Sequence, residues 1–485
     1  MKISFPVRIY LIALLLRLFP VLLTSQLGIG LDDMFQYDML ARSLASGHGF
    51  RWYAQADLKM LEPYVDFDLA TAKGYDPRYG LYTSFRAPLY PAFLALVYSI
   101  SGFEFSRFFA ARLAQVIILG APLAPLTYLV SKQFFLLSTF TSEEQPEWKI
   151  ESISRISAWI VACYPMLLVY PLGLGTENLF FVLLLFSFFF LLKSVKAPGI
   201  YNLLLLGAFL ALTALTRSVI LPFVMLAFLY LLFLHKKKAL LALLSFVIVL
   251  LPWVIRNSIL HQKPTGIETS MGYNLYLGYH PQGNGSFVFG PSLDLLTIMD
   301  DAERDEAGTQ KAIGFIREQP ERFLPLALNR LGFFFGLEKR VLMYFYSNNL
   351  LGYIPSPILL SIAAILLLPF MFVVILAALG GVALKRSPQT SMLLLLFFAY
   401  ILPHALILAE DRFHLALIPF FAILGSYALV LLVNKQYVRA AGRSLDFAVL
   451  LLLLLLINWG LELHRDADKI AALLGPNGNK AGFPY

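Results

Sequence analysis

The chain has 485 residues, of which 59% are hydrophobic and 14% charged, with a formal net charge of +8. A soluble domain carries about 25% charged residues, so a soluble fold is excluded over most of the length, and continuous rather than alternating apolar runs exclude a membrane β-barrel. The positive excess lies in short clusters between apolar runs, which points to membrane topology and away from nucleic acid. The single cysteine, Cys163, excludes an internal disulfide and a cysteine metal site.

Lys2 and Arg8 precede the first apolar run, roughly 9–28, which reads as a retained span because no small-residue cleavage site follows. Next come Asp32 and Asp33. Tyr37, Leu40, Ala41 and Leu44 then fall at helical spacing, and Gly47 closes the segment, so the aspartates sit at a helix N-terminus. An N-cap role accounts for one carboxylate. The other is left for chemistry, and the helix N-terminus favours its ionised form. Arg86 stands where the chain returns to the membrane, either as a phosphate ligand or as a snorkelling interfacial arginine. The run Leu89–Ser101 is short, contains Pro91 and ends at Gly102, so it reads as a helix lying outside the membrane or only partly inserted.

Later runs, such as Ala239–Ile255 and Ile358–Leu384, are long enough to cross the hydrocarbon core as helices. Six basic clusters belong in the cytoplasm: Lys2/Arg8, Lys132 with Lys149 and Arg155, Lys193/Lys196, His235–Lys238, Lys385/Arg386, and Lys435/Arg439/Arg443. This arrangement gives an all-α, polytopic protein of about 11 spans, counted from those clusters, with outer loops at roughly 29–107 and 256–355. The expected organisation is a membrane module over 1–435, then a terminal transmembrane helix and outer tail over 436–485.

Polar residues outside the basic clusters collect at span ends facing one compartment: Asp32, Asp33, Arg86, Glu177, Arg217, Arg256, Glu410, Asp411 and Arg412. Convergence from separate segments reads as a site. In the second loop, Gly278–Gly290 reads as a flexible segment able to fold over a ligand. Asp300–Gln319 reads as a charged helix whose acids (Asp300, Asp301, Glu303, Asp305, Glu306) form a solvated face. Phe323–Tyr346 reads as an interfacial helix. His280 and His404 lack companions at ligand spacing, so a metal role for either is the weaker reading.

Several segments resemble the GT-C glycosyltransferases, in the branch related to protein O-mannosyltransferases and lipid A aminoarabinose transferases. They are Leu31–Ala41, Phe85–Pro91, Thr176–Phe180, Leu212–Arg217, Leu251–Asn257 followed by Gly272–Leu275, and Glu410–Phe413 followed by Pro419. Two departures stand out: Asp32-Asp33 replaces the usual Asp-Glu pair, and Arg86-Ala87-Pro88 lacks one proline. The four-residue spacing to Tyr37 selects Asp33.

The resemblance implies a polyprenyl-phosphate sugar donor and an extracytoplasmic site. Asp33 is then the candidate base for an acceptor hydroxyl, with Asp32 positioning the acceptor or a cation. Arg86, Arg217, Arg256 and Arg412 are candidates for the leaving phosphate. Tyr37, Glu177, Asn257 and Glu410 are supporting residues, and Glu177 is expected to pair with an arginine. A single displacement inverts the anomeric carbon. The resemblance fixes no cofactor, and a divalent cation bridging Asp33 to phosphate is left open. The acceptor is a glycan, a lipid or a protein hydroxyl, and membrane lipid is the other partner. A transporter or flippase of lipid-linked sugars would call for internal repeats and paired broken helices near the midplane; no such repeat is seen, and the charges cluster at one membrane face. A non-catalytic envelope-assembly partner would leave the convergence of Asp33 with the arginines unexplained.

Overall fold

A computed structural model describes residues 3–67, 69, 72, 74–138, 146–339 and 354–475. Helices dominate. Among the described residues the strands are Arg51–Trp52 and Leu81–Tyr82, a two-residue antiparallel pair that closes the first loop. The protein is a polytopic helical membrane protein: eight helical stretches among the described residues are long and apolar enough to cross, or nine if the bent pair Glu147–Cys163 and Pro165–Leu172 is one span.

The sequence count of about 11 differs from this in identifiable places. Ser218–His261 is a single 44-residue apolar stretch, yet its two ends lie together. Ser218 donates to Glu268, and Arg256 donates to the Thr83 carbonyl at 2.6 Å. Between them, His235 meets the Val195 carbonyl at the far end of Thr176–Lys196. The stretch therefore crosses and returns, reversing through the turn at Lys236–Ala239, where Lys236 has φ of 51°. Ile200–Ala214, a 15-residue helix, is about 22 Å long at the usual rise and falls short of the hydrocarbon thickness. Among the described residues, dividing the long stretch and counting the bent pair brings eight to ten, and Ile200–Ala214, too short by this measure, is the run that the sequence count took as the eleventh span.

Ile200–Ala214 lies close against Leu240–His261. Gly207 is the reason: a Cβ there would stand 2.1 Å from the Ala242 carbonyl oxygen, so only glycine permits this approach. Leu89–Ser101 has 13 residues, about 20 Å. It packs its Tyr90, Leu94 and Tyr98 face inward, with Tyr98 donating to Asp38 on the helix Asp33–Ala45.

In the second loop the charged helix runs Asp301–Glu318, with Asp300 as its N-cap. The solvated-face expectation fails for Asp301 and Asp305. Asp301 is buried and accepts from Thr83, the Ser84 amide and Thr269, while Asp305 accepts from the Gly272 amide at 2.6 Å. Glu303 and Glu306 do face solvent. Gly278 is part of the helix Met271–Tyr279, and its carbonyl accepts from Arg330 at 2.6 Å, so the glycine-rich stretch starts anchored. Phe323–Phe334 is helical, and residues 340–346 of the expected interfacial segment lie outside the described residues.

Candidate functional site

The site begins at the N-terminus of Asp33–Ala45. Asp32 is the N-cap, its side chain accepting from the Met34 amide at 2.8 Å. That frees Asp33, the first helical residue, to reach elsewhere. One of its carboxylate oxygens pairs with Arg86, which also donates from Nε to Gln36 at 2.8 Å. The other pairs with Arg412 Nη2 at 3.2 Å. Arg86 and Arg412 lie 53 and 379 positions away in the chain.

Arg412 extends the network. Its Nε is 2.9 Å from Glu410 and 3.8 Å from Glu177. Glu177, in the first turn of Thr176–Lys196, pairs with Arg217 at 2.6 Å. Asp33, Glu177 and Glu410 thus face Arg86, Arg217 and Arg412, three carboxylates against three guanidiniums. The acids are graded in exposure: the Glu177 side chain is buried, that of Glu410 is nearly so, and that of Asp33 is 36% exposed. Burial works against the charge on Arg86, and Asp33, with Tyr37 and Glu268, more than offsets it, so its guanidinium titrates above the ordinary range. Tyr37 lies beside it, the guanidinium 5.5 Å from the ring centre. Burial pushes the Tyr37 phenol up to about 12, with Arg86 opposing, so it keeps its proton at neutral pH and is no base.

Two expected members sit apart from this network. Arg256 donates to the Thr83 and Phe50 carbonyls and stacks on Trp253, tying the first loop to the span end. Asn257 is fully buried and donates to the Gly266 and Ile267 carbonyls. Both brace loops, and a guanidinium at a span end looks the same in sequence whether it braces or binds. Conversely, the sequence reading missed Glu268. It accepts from the Ser218 amide and hydroxyl, next to Arg217, and adds to the field at Arg86. Its surroundings, Gln262–Ser270, carry no spacing that would have flagged it.

His280 and His404 belong to no group of metal-competent side chains among the described residues. The group that exists is His261, Asp300 and Asp301. There Asp301 Oδ2 already accepts from Thr83, Ser84 and Thr269, and Asp300 caps its helix. At Asp33 both oxygens meet guanidiniums, so the chemistry of that donor set suits an anion between the arginines better than a bridging cation.

No protein-family model matches the chain, and no curated protein matches it. Among solved structures it is similar to ArnT from Cupriavidus metallidurans, whose crystal structure is bound to undecaprenyl phosphate. The match has 13% sequence identity and a TM-score of 0.37 and covers 87% of this chain and 77% of that one.

Proposed function

We propose that this protein is an integral membrane glycosyltransferase that moves a sugar from a polyprenyl-phosphate donor to an acceptor hydroxyl on the extracytoplasmic side. The observation that carries the reading is Asp33 held between Arg86 and Arg412. It joins a partly exposed carboxylate to two guanidiniums at the water edge of an apolar bundle. In this reading residues 1–435 form the catalytic module, with outer loops at 29–107 and 256–355, and 436–485 supply a terminal helix and tail.

Charge supports the extracytoplasmic side. Glu177 begins the helix that ends at Lys193 and Lys196, and Arg217 precedes the helix that ends at His235–Lys238. The site therefore lies a helix length away from two basic clusters that belong in the cytoplasm.

A carboxylate paired on both oxygens is a weak base, because neighbouring positive charge favours its ionised form. A bound lipid phosphate changes this. It competes for Arg86 and Arg412, and each guanidinium it takes releases one Asp33 oxygen. The acceptor hydroxyl then attacks the anomeric carbon, the bond from that carbon to the phosphate oxygen breaks, the lipid phosphate leaves, and the hydroxyl proton passes to Asp33. The arginines balance the charge growing on the leaving phosphate. Arg217 and Glu177 hold Arg412 in place. The anomeric carbon is inverted.

The experiment is transfer by the purified full chain from a panel of radiolabelled polyprenyl-phosphate sugars to envelope extract. Label should move from at least one donor, and Arg412→Ala should abolish it. No release of sugar from any donor overturns the proposal.

A further inference from the structure

A second group of ionisable side chains is not used by the reaction proposed above. Glu338 and His414 are 0% exposed, and Tyr164 is nearly as buried. They come from three separated places. Tyr164 stands at the 54° bend between Glu147–Cys163 and Pro165–Leu172. Glu338 lies just past the helix Phe323–Phe334. His414 lies in the 3-10 turn Phe413–Leu417, two residues after Arg412.

Their hydrogens can be placed. His414 Nδ1 is 2.6 Å from the Phe334 carbonyl oxygen, which only accepts, so Nδ1 carries a hydrogen. Nε2 is 3.0 Å from Glu338 Oε1, and Tyr164 donates to that same oxygen at 2.6 Å. Glu338 Oε2 has no hydrogen-bond partner among the described residues. An imidazolium facing a carboxylate would put two charges out of water and leave a charged oxygen bare. In the neutral arrangement Oε1–H donates to Nε2, and Oε2 becomes a carbonyl oxygen, which is less costly to leave without a donor. Burial also pushes the Glu338 carboxyl above its ordinary range, with His414 opposing. A chain of donors then runs from Tyr164 through Glu338 and His414 to the Phe334 carbonyl.

Both ends of this chain are fixed. The His414 ring stacks on Phe370 at 4.2 Å, and Tyr400 donates to the Phe413 carbonyl at 3.2 Å. On the other side, Lys339 pairs with Glu462 at 2.7 Å, and the Leu337 amide donates to Glu462 at 2.9 Å, which ties the Glu338 segment to the last membrane helix, Leu445–Arg465. Arg412 sits at the head of the turn so held, and it is the residue that spans Asp33, Glu410 and Glu177.

We infer that Tyr164, Glu338 and His414 are positioning residues: a dry hydrogen-bonded chain that holds the turn carrying Arg412 against Asp33. This rests on the reading of Arg412 as a lipid-phosphate ligand. A misplacement of about 1 Å in such a ligand costs on the order of a hundredfold in rate.

The test is a double-mutant cycle on the full-length protein in detergent, reading the affinity for radiolabelled, sugar-free polyprenyl phosphate. Arg412→Ala should weaken binding about tenfold or more, Glu338→Ala about fivefold, and Glu338→Ala in the Arg412→Ala background should add nothing. Glu338→Gln should lose less than Glu338→Ala, because its amide still donates to Nε2. If Glu338→Ala does not fold, Tyr164→Phe, which removes only a hydroxyl, takes its place in the same cycle. Full multiplication of the two losses, or wild-type affinity in every Glu338 and Tyr164 variant, overturns the inference. Wild-type affinity in Arg412→Ala alone overturns instead the phosphate-ligand reading on which it stands.

Discussion

Asp33 and Asp38 lie five residues apart on one helix, and each pairs with two arginines. Their surroundings differ. Asp38 is 1% exposed and saturated: Arg107 and Tyr98 donate to one oxygen, and Arg42 and Arg107 to the other. Arg42 is itself shared with Asp57 at 2.6 Å. Asp33 keeps about a third of its side chain open, and its arginines come from the ends of distant segments. The same residue types thus form a sealed brace on one turn and a partly open cluster on another. Accessibility, more than the charges themselves, separates a structural cluster from one able to receive a substrate.

Variants test this contrast. The largest stability effect should come from Asp38→Asn, which leaves Arg107 without its buried carboxylate and Arg42 with Asp57 alone and costs about 3–5 kcal/mol, read as a fall in melting temperature in detergent. Glu177→Gln should come next. It strips Arg217 of its buried partner and loosens Arg412, so stability should fall by about 3 kcal/mol and donor affinity should fall with it. Arg412→Lys keeps the charge but cannot bridge Asp33 and Glu410 together, and donor KM should rise about tenfold with the melting temperature nearly unchanged. Arg256→Ala should be smaller still: the loss of its bonds to the Thr83 and Phe50 carbonyls should cost about 1–2 kcal/mol without altering donor affinity. An Arg256 variant that lost donor affinity at full stability would return this residue to the site. Chelation with EDTA should change turnover least, by about twofold or less, because Asp33 offers its oxygens to guanidiniums and not to a metal ion.

Much of the framework was legible from local chemistry. A capping aspartate at 32 or 33, the apolar spacing that follows and the glycine at 47 were enough to place the first-loop helix, which runs Asp33–Ala45 with Asp32 as its cap. The clusters at His235–Lys238 and Lys385/Arg386 located turns between spans. Expectation and fold diverged wherever tertiary partners decide the outcome. Arg256 and Arg412 are both arginines at span ends, and only three-dimensional packing sends one to backbone carbonyls and the other to Asp33. Asp301 looked like one of several helix-surface acids, and it is buried because Thr83, Ser84 and Thr269 arrive from elsewhere in the chain. Glu268 and the Glu338–His414 pair carry no periodic signal, since their partners lie 50 and 76 positions away.

The most direct measurement compares sugar transfer per folded molecule for Asp33→Asn and Asp38→Asn, using whichever polyprenyl-phosphate sugar the wild type turns over. The expected result is that Asp33→Asn melts close to wild type and loses about 10²–10⁴-fold in turnover, while folded Asp38→Asn keeps most of its activity. Wild-type turnover in Asp33→Asn would contradict it.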